Sequence, residues 1–354
     1  MKNILKEYIE LTDEQKENIW NNCDFIFDTN ILLNLYRYSP RMSKLIIASM
    51  NDLKDRIWIP YNIAEEFLKN RHNIISNKNN EINSLNKLSY DFIKECCNAL
   101  RFKDEDKEIQ LIKENISNWI NKVQQENIID SSKDSILKQV LYLFDGKVGT
   151  PYSKEELMEI KKDAEQRFKQ EIPPGYKDAN KQKENCDNNM YGDYIIWRQI
   201  LDYAKSKSRN IIFITQDRKE DWWNRISGKT IGPRIELRKE FSDNTNMDFY
   251  MYTVDNFLKI HKNIGRGLIL EIRSMEWEDK YNIRVGHFFD LNDDYIAWQV
   301  EDGLKEWVKL RENLSQYDIT LLDEQGYNEV KALNNKIKNL KAYLEMWGIW
   351  FKEN

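Results

Sequence analysis

The stretch FIFDTN, residues 25–30, constrains the fold more than any other: a short apolar run ends in a carboxylate, and a helical pattern, ILLNLYRYS, follows at once. Such a strand delivers Asp28 to its carboxyl end, where open α/β sheets place their ligands. An Asp that only caps the following helix has the same local signature. Other acids on matching elements decide between the two. NIIFIT, residues 210–215, is β-branched and aromatic, reads as a strand, and delivers Asp217 to its own carboxyl end.

Between these strands the pattern alternates. Thr12 and Gln15 have capping-box spacing ahead of the first strand. Ser39-Pro40 opens a helix with Pro at its first position, and Met42, Leu45, Ile46, Met50 and Leu53 recur on one face. RIWIP, residues 56–60, is predicted as a further strand stopped by Pro60. IPYNIAEEFLKNR follows as a helix with Glu65 and Glu66 in its opening turns. Ile63 and Phe67 mark its buried side, which favours Glu66 over Glu65 as the acid near the sheet edge. Acids in a first turn also suit the helix dipole, whatever else they do.

From about residue 76 to 170 the texture becomes long, polar and helical. Ile82, Leu85, Leu88 and Phe92 suggest one face, Ile109, Ile112, Ile116, Trp119 and Val123 a second, and Ile136, Val140 and Phe144 a third. A helical excursion from the α/β core, an arch or cap, is expected. Ser153 and Glu156 form another capping box, and EIPPGYKD, residues 171–178, is a shaped loop because Pro173 and Pro174 exclude helix. YGDYIIWRQILDYAKS begins a helix with Asp193 near its start, and QDRKEDWW adds Asp221, Trp222 and Trp223 after Asp217. GPRIELRKEF reads as a helix, DFYMYTV as a strand and TVDNFLKIHKN as a closing helix capped by Thr253.

This places one domain at residues 1–262 and a small, mostly helical extension at 263–354. Gly265 and Gly267 suggest a turn there, EWEDKYNIRVGHFF holds candidate strands, and Val330, Leu333, Ile337, Leu340, Leu344, Trp347 and Phe351 fall on one face of a final helix. That face suits core packing or a partner interface equally.

Composition narrows the function. The 354 residues are 41% hydrophobic and 32% charged, with no run of about 18 apolar residues, so no membrane span is expected. The amino terminus lacks a continuous apolar segment, which predicts a cytoplasmic protein. Cys23, Cys96, Cys97 and Cys186 form no CxxC pair and read as reduced structural thiols. His72, His261 and His287 have no metal-binding spacing, so carboxylates must carry any chemistry. A net charge of −5 argues against indiscriminate nucleic-acid binding over the whole surface, not against a local basic face.

Asp28, Glu66, Asp193 and Asp217 thus stand at comparable ends of sheet-packed elements. Four close carboxylates repel one another unless divalent cations neutralise them, and hard Mg²⁺ or Mn²⁺, one or two ions, suits oxygen ligands. Such ions activate water and stabilise the charge that develops on a phosphodiester, the chemistry of a nuclease.

FDTNILLNLYRYS, WIPYNIAEEFLKNR, DGKVGTPYS, IPPGYKD, YGDYIIWRQI and IIFITQDRKEDWW, taken in this order, resemble the PIN-like nuclease family, in its bacterial branch with a helical insertion. The resemblance covers roughly residues 20–260. It implies a three-layer α/β/α fold around a central parallel sheet, and Mg²⁺- or Mn²⁺-dependent cleavage of RNA or structured DNA, RNA preferred. By this resemblance Asp28, Glu66, Asp193 and Asp217 are the catalytic, metal-binding acids, Asp217 lying in a T-x-D pattern with Thr215. Asp221 is a further metal ligand or a helix cap, and Asp178 a loop residue bonding its own backbone. Asn30 and Thr215 are candidates to orient the carboxylates, or local caps. Arg37, Arg71, Lys177, Lys181, Arg198, Arg218 and Lys219 are candidates to flank the scissile phosphate, against a default of solvated charge. Trp222 and Trp223 either stack an unpaired base or pack on the sheet. A toxin-like or phage-defence role, and a homo-oligomer or regulatory protein partner through the C-terminal region, are further expectations. The alternatives are a structure-specific DNA nuclease, whose arch spans a free single-stranded end, and an inactive nucleic-acid-binding or assembly module.

Overall fold

Thr12 and Gln15 do form a reciprocal capping box, and the helix it opens, α1 (Asp13–Asn21), leads into β1 (Cys23–Phe27), buried along its whole length. Asp28 leaves that strand and caps α2 (Thr29–Asn34), and Ser39 caps α3 (Pro40–Asp52) through the amide of Met42. The computed structural model describes residues 5–101, 103, 106–178, 188–226, 229–281, 283–285, 294–317, 324–346 and 349–351. They divide into two compact units, Met1–Tyr252 and Thr253–Asn354.

RIWIP does not become a strand of its own. Lys54–Arg56 make a 3-10 turn, and only isolated parallel bridges follow, Ile57 to Phe25 and Ile59 to Val148. Pro60 has no amide to extend the ladder and the next residue already starts a helix, so the strand has no room to grow.

That helix, α4, runs unbroken for 40 residues from Tyr61 to Leu100, and α5 (Lys107–Asn127) returns beside it. Asn79 fixes their pairing by bonding both the carbonyl and the amide of Ile129, at 2.9 and 3.0 Å. The buried positions are Ile93, Ile109 and Ile120, whereas Leu88, Phe92, Ile112 and Trp119 are exposed, contrary to the faces expected from spacing. A two-helix hairpin covers only a narrow stripe on each member, so the wider apolar faces stay uncovered. The excursion is also shorter than expected. Helix α6 (Ser135–Phe144) packs on α3, and α7 (Lys154–Lys169) packs on the next helix, α8 (Gly192–Lys207), so both belong to the core.

β2 (Asn210–Thr215) pairs parallel to β1, with Phe27 opposite Ile214. A hairpin absent from the sequence reading, β3 (Trp223–Ile226) and β4 (Lys229–Pro233), separates β2 from α9 (Ile235–Thr245) and β5 (Phe249–Thr253). The three-stranded parallel sheet has the order β1-β2-β5, with helices around it, as an α/β fold requires. Trp197 of α8 packs edge-on against Phe249 at 5.0 Å and fills the space between that helix and the sheet.

The second unit comprises α10 (Val254–Lys262), α11 (Arg266–Tyr281), β6 (Ile283–Val285), α12 (Asp294–Ser315), α13 (Glu324–Met346) and β7 (Ile349–Phe351). Gly267 lies inside α11 rather than in a turn, and Phe351 lies in β7, antiparallel to β6, rather than on the final helix. Trp347, His287 and Cys186 fall outside the described residues, and the other three cysteines are free thiols. Gly303 lets α12 approach α13 closely: a Cβ there would lie 3.1 Å from a methyl of Leu344. Among the described residues no helix is long and apolar enough to cross a membrane.

Candidate active site

Asp28 owes its position to the β1–β2 ladder. Its amide donates to the carbonyl of Ile214 at 2.9 Å, which holds the end of β1 beside the end of β2. Its Oδ1 accepts from the amide of Thr29 at 2.7 Å, and its Oδ2 accepts from the Asn30 side chain and the Thr215 hydroxyl, both at 2.6 Å. Capping and site placement are therefore not rivals here, because one carboxylate does both.

Asn30 and Thr215 form a small frame around Asp28. The Asn30 amide reaches Thr215 Oγ1 at 3.2 Å, and its carbonyl oxygen accepts from the amide of Gln216 at 3.1 Å. Thr215 Oγ1 also accepts from the amide of Asp217 at 2.9 Å, so one hydroxyl links the first and last of the predicted acids.

Glu66, one turn into α4, accepts from the Thr29 hydroxyl at 2.9 Å and is thereby tied to the residue after Asp28. Glu65 faces away and pairs with Lys69 at 3.1 Å, an exposed i,i+4 contact. Asp193 enters from the first turn of α8 and accepts from the indole N–H of Trp222 at 3.2 Å. Gly175 lies against it with φ +94°, and a Cβ there would stand 3.3 Å from that of Asp193. Both the dihedral and the close approach select glycine.

Burial pushes Asp28 up to about 7, and repulsion from Asp193, Asp217 and Glu66 adds to it against the Thr215 hydrogen bond. Burial likewise pushes Asp193 up to about 6, with Asp217 and Asp178 adding to the shift and Lys219 opposing it. Glu66 is raised by burial, against its bond from Thr29 and the charge of Lys219. The charges of Asp193, Asp217 and Glu66 acting on Asp28, and of Asp217 on Asp193, put the four predicted acids in one neighbourhood.

Two residues take roles among the acids that the sequence reading did not give them: Lys219 was expected beside the substrate phosphate and Asp178 in its own loop. Lys219 directs its ammonium to Asp178 at 2.8 Å, Asp217 at 3.0 Å and Asp193 at 3.5 Å. Asp178 was expected to bond only its own loop, and instead contributes a fifth carboxylate. Its loop is anchored at two places. Arg167 donates to the carbonyl of Pro173 at 2.5 Å while gripping Glu240 through both guanidinium nitrogens. Asp221 accepts from the amides of Gly175 at 3.0 Å and Lys177 at 3.3 Å. Asp221 is thus fully buried and holds the loop through Oδ2, while the charges of Lys219 and Asp217 also act on it.

The expected basic rim is only partly assembled. Arg37 bonds Asn34, whose amide donates to Gln216 at the end of β2, so it stands near the acids. Arg218 is half-buried beside Asp217, and Lys177 is exposed and pairs with Glu220 at 2.9 Å. Arg71 is a correction: it is buried and pairs with Asp134 at 2.8 Å, and Asp134 also accepts the Tyr36 hydroxyl at 2.7 Å and caps α6. The Arg71 guanidinium is thus engaged inside the protein rather than solvated. Arg198 turns toward Asp163 of α7 at 3.6 Å, away from the acids. Lys181 lies outside the described residues. Trp222 and Trp223 are both buried, the second donating to the carbonyl of Asp217 at 2.5 Å, so neither presents a face for base stacking.

Residues 24–237, more than half of the chain, match the family model described as a PIN like domain. The chain belongs to the PIN-like domain family. No curated protein matches it, and no solved structure does. PIN-like domains are generally nucleases and typically use divalent metals, so nuclease-type function is the general assignment. In this PIN-like domain the donor set fits a hard divalent cation chemically: every candidate is a carboxylate oxygen, and burial together with neighbouring carboxylates holds two of them above the ordinary range. Among the described residues, no three side chains are already drawn into ligand positions, and the Lys219 ammonium stands among three of the acids instead.

Proposed function

We propose that the protein is a metal-dependent endonuclease that hydrolyses phosphodiester bonds, with RNA preferred and Mg²⁺ or Mn²⁺, one or two ions, held by Asp28, Glu66, Asp193 and Asp217. The observation that supports this reading is the gathering of carboxylates from separate elements around one point: the charges of Asp193, Asp217 and Glu66 all act on the buried Asp28, and a divalent cation would relieve that repulsion. When bound, the metal supplies an activated water and neutralises charge on the phosphate.

The chain supplies the rest. Thr215 and Asn30 fix the Asp28 carboxylate in one orientation, and Thr29 fixes Glu66. Trp222 holds Asp193, and the loop anchored by Asp221 brings Asp178 alongside. Arg37 and Arg218 are the candidates to meet substrate phosphates. A toxin-like or phage-defence role, a cytoplasmic location, and an oligomer or regulatory partner engaged by residues 263–354 belong to this reading through family resemblance alone.

A second reading changes the substrate to structured DNA. The observation that favours it is the α4–α5 hairpin, because the helix that carries Glu66 continues into it and could guide a single strand to the acids. One assay separates the two: matched RNA and DNA oligonucleotides with Mn²⁺, wild type against Asp28→Asn. RNA cleavage that Asp28→Asn abolishes is expected. Cleavage of DNA alone would establish the second reading, and equal cleavage by the variant would remove Asp28 from the chemistry.

A further inference from the structure

Lys219 places its ammonium among the candidate acids. Its Nζ has three donors and meets three carboxylates, Asp178, Asp217 and Asp193, and its charge also acts on Glu66. The placement is built rather than incidental. The Lys219 amide donates to Asp217 Oδ1 at 2.8 Å, which folds the chain so that the side chain returns over the acid two residues earlier. The receiving acids are fixed from the other side: Asp193 by Trp222, and Asp178 by a loop that Asp221 and Arg167 anchor. An ammonium on a flexible stem is a compact point charge, close in effect to an ion that has been tethered.

We propose that Lys219 is an internal stand-in for the divalent cation, holding Asp178, Asp193 and Asp217 together in the metal-free protein and competing with metal for them. This rests on the metal-dependent reading of the four acids and adds a regulatory property to that site. The ammonium must withdraw from the three carboxylates before a cation is taken up, so apparent metal affinity is lower than the acids alone would give. A protein whose binding-competent form is a minority binds more weakly by that fraction. The arrangement keeps the fold intact when metal is scarce and sets a threshold of free metal below which the site stays filled by its own lysine.

The test is calorimetric titration of Mn²⁺ into the full chain stripped with chelator, for wild type, Lys219→Met, Lys219→Gln and Asp28→Asn, with thermal unfolding before and after metal. Wild type is expected to bind Mn²⁺ and Asp28→Asn to lose most of that binding. Both lysine variants are expected to bind Mn²⁺ about tenfold tighter than wild type or better, and to melt lower than wild type when metal-free. Mn²⁺ should bring their melting temperatures back to that of loaded wild type. Equal or weaker Mn²⁺ binding in both lysine variants, with wild type binding normally, overturns the stand-in and leaves the metal site intact. No Mn²⁺ binding by wild type overturns the metal reading itself. If Lys219→Met is unfolded without metal, recovery of its near-ultraviolet dichroism on adding Mn²⁺ is expected, and failure to recover counts against the proposal.

Discussion

The Thr215 hydroxyl donates to Asp28 Oδ2 at 2.6 Å across the β1–β2 ladder, while its oxygen accepts the amide of Asp217 at 2.9 Å. One side chain therefore sets the spacing between two acids that lie far apart in sequence. Thr215→Val removes the hydroxyl and keeps the shape, and should cost about 1 kcal/mol in urea unfolding together with about tenfold or more in Mn²⁺ affinity. Thr215→Ser should restore both. Unchanged metal affinity in Thr215→Val would show that the hydroxyl orients nothing.

The metal-free protein should lose stability as pH rises. Asp28 keeps its proton in the folded state up to about 7 and Asp193 up to about 6, whereas both lose it near 3.8 when the chain unfolds. The folded state then binds more protons across that window, so the stabilisation is complete below about pH 4 and gone above about pH 7. A melting temperature lower by about 5 °C at pH 8 than at pH 5 is expected without metal, and a smaller difference with saturating Mn²⁺. A metal-free melting temperature that rises across this range would contradict the site's electrostatics.

Glu66 and Glu65 offer an internal control, being adjacent on one helix with opposite surroundings. Glu66→Gln should reduce nuclease activity by about 100-fold or more, since it loses a charge among the acids. Glu65→Gln gives up an exposed pair with Lys69 and a long contact from the Tyr61 hydroxyl, and should stay within about twofold of wild type. Equal effects in steady-state assays would mean that both reach the metal.

Arg71→Ala should act on the fold, not on substrate. Breaking the buried pair leaves Asp134 uncompensated, at a cost of about 3 kcal/mol in chemical denaturation. Nucleic-acid affinity of the folded fraction, measured by fluorescence anisotropy, should be unchanged. A selective loss of affinity without loss of stability would return Arg71 to the substrate face.

Asp221→Asn retains an oxygen for the amides of Gly175 and Lys177 and should keep Mn²⁺ affinity within about threefold of wild type, while Asp221→Ala frees the loop and lowers the melting temperature. Loss of metal binding in Asp221→Asn at unchanged stability would make Asp221 a ligand after all.

The contrast between what the sequence shows and what it hides follows from local against distant causes. Asp28 and Asp217 are legible because strand ends place them, and Glu66 because Ile63 and Phe67 orient its helix. Arg71 is misread because charge is visible in a sequence but its partner is not: Asp134 is distant along the chain and only the fold brings it near. The contact between Asp178 and Lys219 is hidden for the same reason, since both lie on loops without periodicity, and their meeting depends on how Arg167 and Asp221 hold one of those loops. RIWIP has the composition of a strand, yet a turn and a helix start crowd it from both sides. The length of α4 leaves a trace, because no Gly or Pro interrupts residues 61–100.

That uninterrupted helix also behaves as a lever. Glu66 lies near its fulcrum and Leu100 at its far end, about 50 Å away at 1.5 Å per residue. Because the span is a single stiff rod, a tilt of about 5° at the base sweeps the tip through about 4 Å. The converse also holds: a load on the tip is delivered as a small rotation of the turn that carries Glu66. Mechanical access to this carboxylate therefore exists far from the acids it stands among.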